Sequence, residues 1–274
     1  MKKITFGQYY PADSVIHRMD ARAKIIVSVL YIVAVFLCKN ALCFAALTLS
    51  AVLLVAISRI PLKLVLSTLK PLILIITLTS IINIFFTKGE NLLTPETWKV
   101  RIYAEGLWNA LFMILRITIL LASTGVFLTF STTPIALTDA LESLLMPLAK
   151  LRLPVHDLAM ITTIALRFIP TLSEETEKIM NAQKARGADF SSGGLIRRAK
   201  ALLPVFIPLL SSAFKRADEL ANAMDCRCYH GGTDRTRLNT PHFRIPDALA
   251  ILTVAAFGVG VFFLNRLGIG YTMK

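Results

Sequence analysis

Two arginines that stand in matching sequence contexts have the most specific predicted chemistry in this chain. Phe168-Ile169-Pro170 is followed by Ala185-Arg186-Gly187, and Phe206-Ile207-Pro208 is followed by Cys226-Arg227-Cys228. The spacing from triplet to arginine differs between the two copies by less than one helical turn. A guanidinium group binds a carboxylate in bidentate fashion, and small neighbouring side chains let a helix end approach a partner closely. The doubled pattern therefore predicts two arginine tips that dock on another molecule.

Either arginine taken alone has a simpler explanation. A cation near the C-terminus of a helix stabilises that helix by about 0.3–1 kcal/mol through the helix dipole, without any partner. We favour docking because the arrangement occurs twice, each time between small or compact side chains.

The second arginine is flanked by residues that suggest a metal site. Cys226, Cys228 and His230 supply thiolate and imidazole groups, which are zinc ligands. Three candidate ligands close together in the sequence, with no fourth nearby, make a poor structural zinc site. We therefore predict no metal here and interpret the cysteines as ordinary small side chains.

Motifs for catalysis are missing from the sequence. It contains no Gly-x-x-x-x-Gly-Lys-Ser/Thr phosphate loop, no His-Glu-x-x-His and no Gly-x-Ser-x-Gly. Its histidines, His17, His156, His230 and His242, are scattered. We predict a non-catalytic chain that needs no cofactor and does not itself hydrolyse ATP.

Two further arginines lie in or beside apolar runs. Arg116 is near the middle of the run 107–130, and Arg167 directly follows the run 158–166. An arginine stranded in lipid is costly, so Arg116 is a functional candidate, or a structural residue paired with a carboxylate or carbonyls. We favour the structural role, and keep as an alternative function a membrane-embedded enzyme that uses Arg116 and Arg167 to hold an anionic lipid or phosphate substrate.

The composition indicates an integral membrane protein. Of the 274 residues 55% are hydrophobic, and the mean hydropathy is +0.64. The net charge of +13 is concentrated in the segments between apolar runs, as expected of cytoplasmic loops, so nucleic acid is not the predicted partner. A self-contained channel or secondary carrier is disfavoured because the apolar runs carry almost no acidic residues.

The apolar runs predict an all-α integral membrane protein with about five to six transmembrane helices. The runs are 25–37, 41–57, 72–86, 107–130 and 248–264, and the first is expected to begin near Ala21. Cys38-Lys39-Asn40 predicts a tight turn between the first two. We predict three regions: an N-terminal membrane domain (1–130) with its N-terminus in the cytoplasm, a cytoplasmic domain of long helices (131–244) and a C-terminal transmembrane helix (245–274).

The segment 131–244 predicts helices rather than spans. Thr133 and Pro134 start one helix as N-cap and first helical residue. The runs 158–166 and 202–210 are too short to cross a bilayer and are typical of helices at the membrane interface. Thr171 and Glu174 form a capping box that predicts a helix start, and Gly187 predicts its end. At the second tip Cys228 replaces the glycine, so we expect a weaker helix stop there.

Several of these motifs together resemble a known family. The segments Ala-Leu-Arg-Phe-Ile-Pro (165–170), Lys-Ala-Arg-Gly-Ala-Asp-Phe (184–190) and Ala-Phe-Lys-Arg-Ala-Asp-Glu-Leu-Ala (213–221) resemble the T component of energy-coupling factor (ECF) transporters, the EcfT and CbiQ type. The likeness covers nearly the whole chain, including residues 17–24 and 153–156.

The resemblance implies a function. It implies a membrane scaffold in the plasma membrane with two long cytoplasmic coupling helices, whose Ala-Arg-Gly-type ends dock on two ABC-type ATPases. The docking residues would be Ala185, Arg186, Gly187, Cys226, Arg227 and Cys228. The scaffold would transmit ATP-driven movement to a separate substrate-binding S component, which captures a vitamin or a transition-metal ion and sets the selectivity.

Overall fold

The computed structural model describes residues 9–87, 89, 103–147, 154–190, 194–229, 231 and 243–266. Within these ranges the regular structure is helical, so the predicted all-α fold is confirmed. The chain divides into two compact units, Met1–Ala140 with Asn239–Lys274, and Leu141–Leu238. Along the chain the boundaries between the two units follow residues 140 and 238. The predicted domain boundaries follow residues 130 and 244.

The first unit contains the following helices, most of which coincide with predicted apolar runs. They are α1 (Val15–Arg18), α2 (Ala21–Leu37), α3 (Ala41–Ser58), α4 (Leu62–Ser67), α5 (Ile73–Phe86), α6 (Ala104–Thr124), which continues as a π-helix (Gly125–Phe130), and α10 (Ile245–Arg266). The first long helix starts at Ala21, as expected, because the carboxylate of Asp20 accepts a hydrogen bond from the Arg22 N–H at 2.9 Å and caps it. The predicted turn at residues 38–40 is confirmed.

Within the described part of the chain, five helical segments are long and apolar enough to cross a membrane. They are Ala41–Ser58, Leu62–Phe86, Ala104–Phe130, Val155–Ala185 and Ile245–Arg266. Four of them match predicted spans. The predicted first span, α2, has only 17 residues. Val155–Ala185 is long and apolar enough instead, whereas its apolar run 158–166 was predicted to lie at the membrane interface.

The second unit is dominated by two long helices. They are α8 (Val155–Ala185) and α9 (Leu195–Asp225), each of 31 residues. α7 (Pro134–Leu145), which crosses the chain boundary between the two units, precedes them. It begins, as predicted, with the Thr133 hydroxyl accepting the Ala136 N–H at 3.3 Å.

The predicted helix start at Thr171 is wrong. Thr171 and Glu174 lie inside α8, which begins at Val155 and continues through Pro170. Proline removes one N–H from a helix and strains the preceding turn, but it ends the helix only where nothing compensates. The capping-box pattern is local, and it does not reveal whether the preceding residues are already helical.

α9 shows how such compensation is made. It runs through both Pro204 and Pro208. Because Pro208 has no N–H, it cannot donate to the carbonyl of Pro204, one helical turn earlier. The side-chain amide of Gln183, at the end of α8, donates to that carbonyl at 3.3 Å.

The core of the first unit is built from aromatic and aliphatic contacts between α2, α3, α6 and α10. Phe44 on α3 stacks on Phe112 of α6 with their ring centroids 4.8 Å apart, and both are almost fully buried. Tyr31 on α2 stacks on Phe257 of α10 at 6.5 Å. By contrast α5 contains no buried residue, and its exposed apolar side chains suit contact with lipid.

A buried polar cluster joins α2 to the start of α10. Lys24 is only 2% exposed, and its ammonium group donates to the Ser131 carbonyl at 2.7 Å. Asp247, 1% exposed, accepts hydrogen bonds from the Asp20 N–H at 3.1 Å and the Arg244 N–H at 2.9 Å. These bonds tie the two sequence-distant parts of the first unit together.

Candidate docking site

The helices that carry the two arginine tips pack antiparallel within the second unit. Residues early in α8 contact the end of α9, and residues late in α8 contact the first half of α9. The Tyr229 hydroxyl, just beyond α9, donates to the Met160 sulfur at 2.8 Å, and Gln183 contacts Pro204 as described. The two long helices therefore pack on each other, and these contacts fix their antiparallel direction.

The antiparallel arrangement places the arginine tips at opposite ends of the helix pair. Arg186 lies just beyond Gln183, which contacts Pro204. Arg227 follows the C-terminal end of α9, far from Pro204. At 1.5 Å per helical residue, the stretch from Pro204 to Arg227 amounts to roughly 35 Å along α9. The sequence predicts two tips, but it does not predict this separation.

The first tip is a helix end closed by a left-handed glycine. The N–H of Gly187 donates to the Lys184 carbonyl, and the N–H of Ala188 donates to the Gln183 carbonyl, each at 3.0 Å. Gly187 has φ +88°, so the predicted stop is confirmed. This pair of bonds is the Schellman arrangement, which satisfies the last carbonyls of a helix.

The second tip repeats this backbone in the same register. The N–H of Cys228 donates to the Asp225 carbonyl at 2.9 Å, and the N–H of Tyr229 donates to the Met224 carbonyl at 3.1 Å. Each donor and acceptor stands at the same sequence distance from Arg227 as its counterpart in the first tip stands from Arg186. The two arginines therefore stand at the same place in the same backbone motif.

The second helix stop forms although Cys228 replaces the glycine, and the expected weakening of this stop stays a prediction. Cys228 adopts φ +56°, the left-handed conformation that Gly187 adopts in the first tip. A residue with a Cβ pays about 1–2 kcal/mol for this conformation. The hydrogen bonds that close the helix hold Cys228 there, so the stop is kept at an energetic cost.

Both tips are accessible. Ala185, Arg186 and Gly187 are exposed, as are Cys226, Arg227 and Cys228. Among the residues that the structure describes, neither arginine takes part in a salt bridge. Each guanidinium group is therefore available to a carboxylate of another molecule.

The two cysteines of the second tip stand at its surface. Cys226 and Cys228 are both free thiols and exposed, and His230 lies outside the described residues. Across the described ranges no three His, Cys, Asp or Glu side chains are grouped closely enough to hold a metal ion.

A polar contact joins the middles of the two long helices. The Glu175 carboxylate on α8 accepts hydrogen bonds from the Ser212 hydroxyl and from the Arg216 guanidinium of α9, the latter at 3.0 Å. This contact was not predicted from the sequence. Their pairing depends on the antiparallel register, for which the sequence carries no local signal.

An apolar groove of about 290 Å³ runs beside this contact between α8 and α9. Phe168, from the first Phe-Ile-Pro triplet, is one of its lining residues. The other residues that line it are Ile164, Leu172, Ala213, Arg216, Ala217, Leu220, Ala221 and Met224.

The two remaining candidate arginines have different surroundings. Arg116 on α6 donates from Nη2 to the Cys38 carbonyl at 2.7 Å, and its guanidinium carbon lies 5.3 Å from the centroid of the Phe44 ring. These are the contacts of a residue that anchors the turn between α2 and α3, and cation–π contact adds to the hydrogen bond. Arg167 is exposed on α8, in the other unit.

Comparison with known proteins identifies the family of the chain. Residues 12–238 match the family model described as cobalt transport protein, CbiQ. The match includes both tips and both long helices.

Several proteins named energy-coupling factor transporter transmembrane protein EcfT are similar along nearly their whole length. The one from Thermosediminibacter oceani is 46% identical over 263 residues, covering 95% of this chain and 97% of that protein. The one from Acidaminococcus fermentans is 48% identical over 263 residues, covering 96% and 97%. The one from Ruminiclostridium cellulolyticum is 48% identical over 250 residues, covering 91% and 92%. With a family match over most of the chain and this level of identity, the chain belongs to the CbiQ-type family of energy-coupling factor transporter transmembrane proteins.

Proposed function

We propose that this chain is the scaffold subunit of an ATP-driven importer for a vitamin or a transition-metal ion. In this proposal Arg186 and Arg227 dock on two partner ATPase subunits, and a separate S component binds the solute. The observation that carries the proposal is the repeated helix end, with the same hydrogen bonds and the same left-handed residue directly after each arginine.

The geometry of the tips favours two similar docking partners. Two ends with the same backbone suit two copies of the same kind of groove. Because the tips lie roughly 35 Å apart along α9, one narrow groove cannot receive both. A pair of related ATPase subunits supplies two such grooves at separate places.

The long helices are suited to transmit a displacement from the ATPases. A helix is stiff along its axis, and the contact of Glu175 with Ser212 and Arg216 connects α8 to α9 near their middles. Movement of either tip is therefore passed to the other helix. The S component is proposed to rest on the apolar surfaces of this pair and to reorient when the pair moves.

The first unit is proposed to hold the scaffold in the plasma membrane. Four of the five candidate spans lie in it, Val155–Ala185 being the exception. The second unit is proposed to lie on the cytoplasmic side, because charged residues cluster from Glu174 to Arg186 on α8 and from Lys215 to Arg227 at the end of α9, and because the ATPases need access to cytoplasmic ATP. The chain itself is proposed to be non-catalytic.

The alternative of a membrane-embedded enzyme gains no support from the described contacts. It would use Arg116 and Arg167 together to hold an anionic substrate. Arg116 donates to the Cys38 carbonyl and faces Phe44, both within the first unit, whereas Arg167 belongs to the second. The enzyme hypothesis predicts turnover by the purified chain alone.

Charge reversal at the tips tests the scaffold proposal. The tagged chain is purified with its partners in mild detergent, and copurifying ATPases, ATP hydrolysis and solute uptake in vesicles are measured. We expect Arg186→Glu and Arg227→Glu each to reduce coupled uptake at least tenfold, because each puts two carboxylates face to face. Lys178→Glu, an equal charge change on an exposed residue of α8, is the control. Normal uptake by the Arg186→Glu/Arg227→Glu double variant would refute the proposal.

A further inference from the structure

We propose that Cys226 and Cys228 form a modification site on the second tip, where a small anionic thiol attached through a mixed disulfide prevents the docking of Arg227. The inference rests on the proposed function, because it concerns the control of the same tip. It is carried by the exposure of the two thiols, by their positions on either side of the arginine and by the difference between the two tips.

The thiols of the second tip are the accessible thiols of this chain. Cys226 and Cys228 are free and exposed, whereas Cys38 and Cys43 are free and buried. Thiol–disulfide exchange requires that a thiolate reach a sulfur atom of the disulfide. A small disulfide in solution therefore reacts at the second tip and leaves the buried thiols unmodified.

The left-handed position of the second tip has room for an added group. Cys228 has the conformation that Gly187 has in the first tip, with the same backbone hydrogen bonds around it. Among the described residues, a Cβ added at Gly187 would have no heavy atom within 4 Å other than those of its own surroundings in the chain. The side chain of Cys228 is itself exposed. A group attached there extends into solvent and does not displace the end of α9.

An anionic group at this position acts directly on Arg227. Cys226 and Cys228 are the neighbours of Arg227 in the chain, so a short tether holds the anion near the guanidinium at an effective concentration on the order of millimolar. The anion can bind the guanidinium in place of a partner's carboxylate. It also repels that carboxylate, because like charges placed together at an interface weaken binding.

The modification is a thiol–disulfide exchange. The cysteine gives its proton to water, and its thiolate attacks one sulfur of a small disulfide R–S–S–R. A bond forms between these two sulfurs while the original S–S bond breaks, and R–S⁻ leaves with the bonding electron pair. The protein thiol is thereby oxidised and the small disulfide is reduced, and an excess of small thiol reverses the step. Residues two positions apart at a helix end do not face each other, so we expect the two cysteines to react separately.

The first tip has no group that can react in this way. Its arginine stands between Ala185 and Gly187. Oxidation therefore removes one of the two docking contacts and leaves the other intact. Assembly with the ATPases then depends on the balance of thiols and disulfides around the tips, through the second tip alone.

The proposal can be tested by modifying the tagged full-length chain in mild detergent. Sulfonatoethyl methanethiosulfonate attaches an anionic group through a mixed disulfide and releases methanesulfinate. Hydroxyethyl methanethiosulfonate attaches a neutral group of similar length. The mass of the intact protein counts the attached groups. ATPase subunits isolated from the wild-type complex are then added, and the amount bound is measured before and after reduction with dithiothreitol.

The Arg186→Glu variant isolates the second tip, because its first tip is disabled. In this variant we expect the sulfonate group to reduce ATPase binding about tenfold. The hydroxyethyl group should reduce it clearly less, and dithiothreitol should restore it. In Arg227→Glu, whose second tip is already disabled, the same reagent should change nothing further.

Two further variants of the Arg186→Glu chain assign the effect to the flanking thiols. With Cys226→Ala and Cys228→Gly added, treated and untreated samples should bind equal amounts of ATPase, whatever that amount is. With Lys178→Cys added to those changes, the reagent attaches at an exposed position on α8 away from the tip. Binding should again be the same with and without the reagent.

Three results would overturn the proposal. Full binding by the modified Arg186→Glu chain would show that the thiols do not control docking. Equal losses with the anionic and the neutral group would show that bulk, and not charge, decides. A protein that has lost two hydrogens and gained no group would show that the two cysteines bond to each other.

Failure of the docking proposal itself is recognised separately. If the unmodified Arg186→Glu/Arg227→Glu variant binds as much ATPase as the wild type, the tips are not docking sites. If that variant loses binding while the modified Arg186→Glu chain keeps it, docking stands and the thiol proposal alone is wrong.

Discussion

The side-chain amide of Gln183 supplies the hydrogen bond that Pro208 cannot. It donates to the Pro204 carbonyl at 3.3 Å, the acceptor that an ordinary residue at position 208 would satisfy from within α9. Gln183 of α8 thus satisfies a carbonyl of α9 and fixes the register between the two helices. It lies less than one turn before Arg186.

The repair can be tested by restoring the missing donor. We expect Gln183→Leu to destabilise the helix pair by about 0.5–1.5 kcal/mol, the net value of one hydrogen bond. In a Pro208→Ala background the same change should cost markedly less, because the backbone of α9 then satisfies the carbonyl itself. Amide hydrogen exchange in α9 measures the opening of this region in all four variants. Equal costs in both backgrounds would mean that the Gln183 contact does not act through Pro208.

The contact of Glu175 on α8 with Arg216 on α9 should affect the coupling of ATP hydrolysis to transport more than the stability of the protein. Glu175→Gln and Arg216→Met remove a partly exposed ion pair, with side chains 23% and 38% exposed, so the free energy of unfolding should change by less than about 1 kcal/mol. We expect ATPase copurification to be unchanged and the solute imported per ATP hydrolysed to fall. Glu177→Gln, a neighbouring exposed carboxylate, is the matched control. An unchanged transport ratio would show that the tips are coupled by another route.

The two tips should respond oppositely to substitution at the left-handed position. Cys228→Gly should stabilise the second tip by about 0.5–1 kcal/mol, because glycine adopts positive φ without steric cost. Gly187→Ala should destabilise the first tip by a similar amount. In exchange experiments the amide of Tyr229 should become about fivefold slower in the first variant, and that of Ala188 about fivefold faster in the second. A slower amide at 188 in Gly187→Ala would contradict the shared geometry.

Arg116 should behave as an anchor of the first unit. Arg116→Met leaves the Cys38 carbonyl without its charged donor, and a hydrogen bond of that kind contributes about 1.5–3 kcal/mol. We expect a loss of stability of this size by thermal unfolding in detergent. Arg116→Lys should recover part of this stability. Complexes of either variant that remain intact after purification should keep their ATPase activity. Loss of activity with full stability would instead point to a direct role in transport.

Loss of the buried Asp247 carboxylate should destabilise the first unit more than loss of the Arg116 guanidinium. Asp247→Ala removes the acceptor of two backbone N–H groups and the negative charge near Lys24. Leaving a buried charge without compensation costs about 3–5 kcal/mol. We expect poor accumulation of this variant in the membrane. Lys24→Met combined with Asp247→Ala should accumulate better than Asp247→Ala alone, because the uncompensated ammonium is gone.

The sequence by itself determined the features that depend on nearby residues. Apolar length identified four of the five candidate spans, and the cap of α2 at Asp20 and the stop at Gly187 follow from short-range hydrogen bonds and allowed dihedral angles. The two arginine tips were recognisable because a repeated pattern needs no knowledge of the fold.

Only the tertiary structure decided what depends on packing between distant segments. Thr171 looked like a helix start because its pattern is local, yet α8 had begun several turns earlier at Val155. Cys228 looked unsuited to a helix stop, yet the hydrogen bonds around it hold φ at +56°. The antiparallel register, and with it the separation of Arg186 from Arg227, results from contacts between α8 and α9. Such contacts join residues far apart in the chain, and no local preference encodes which of them will meet.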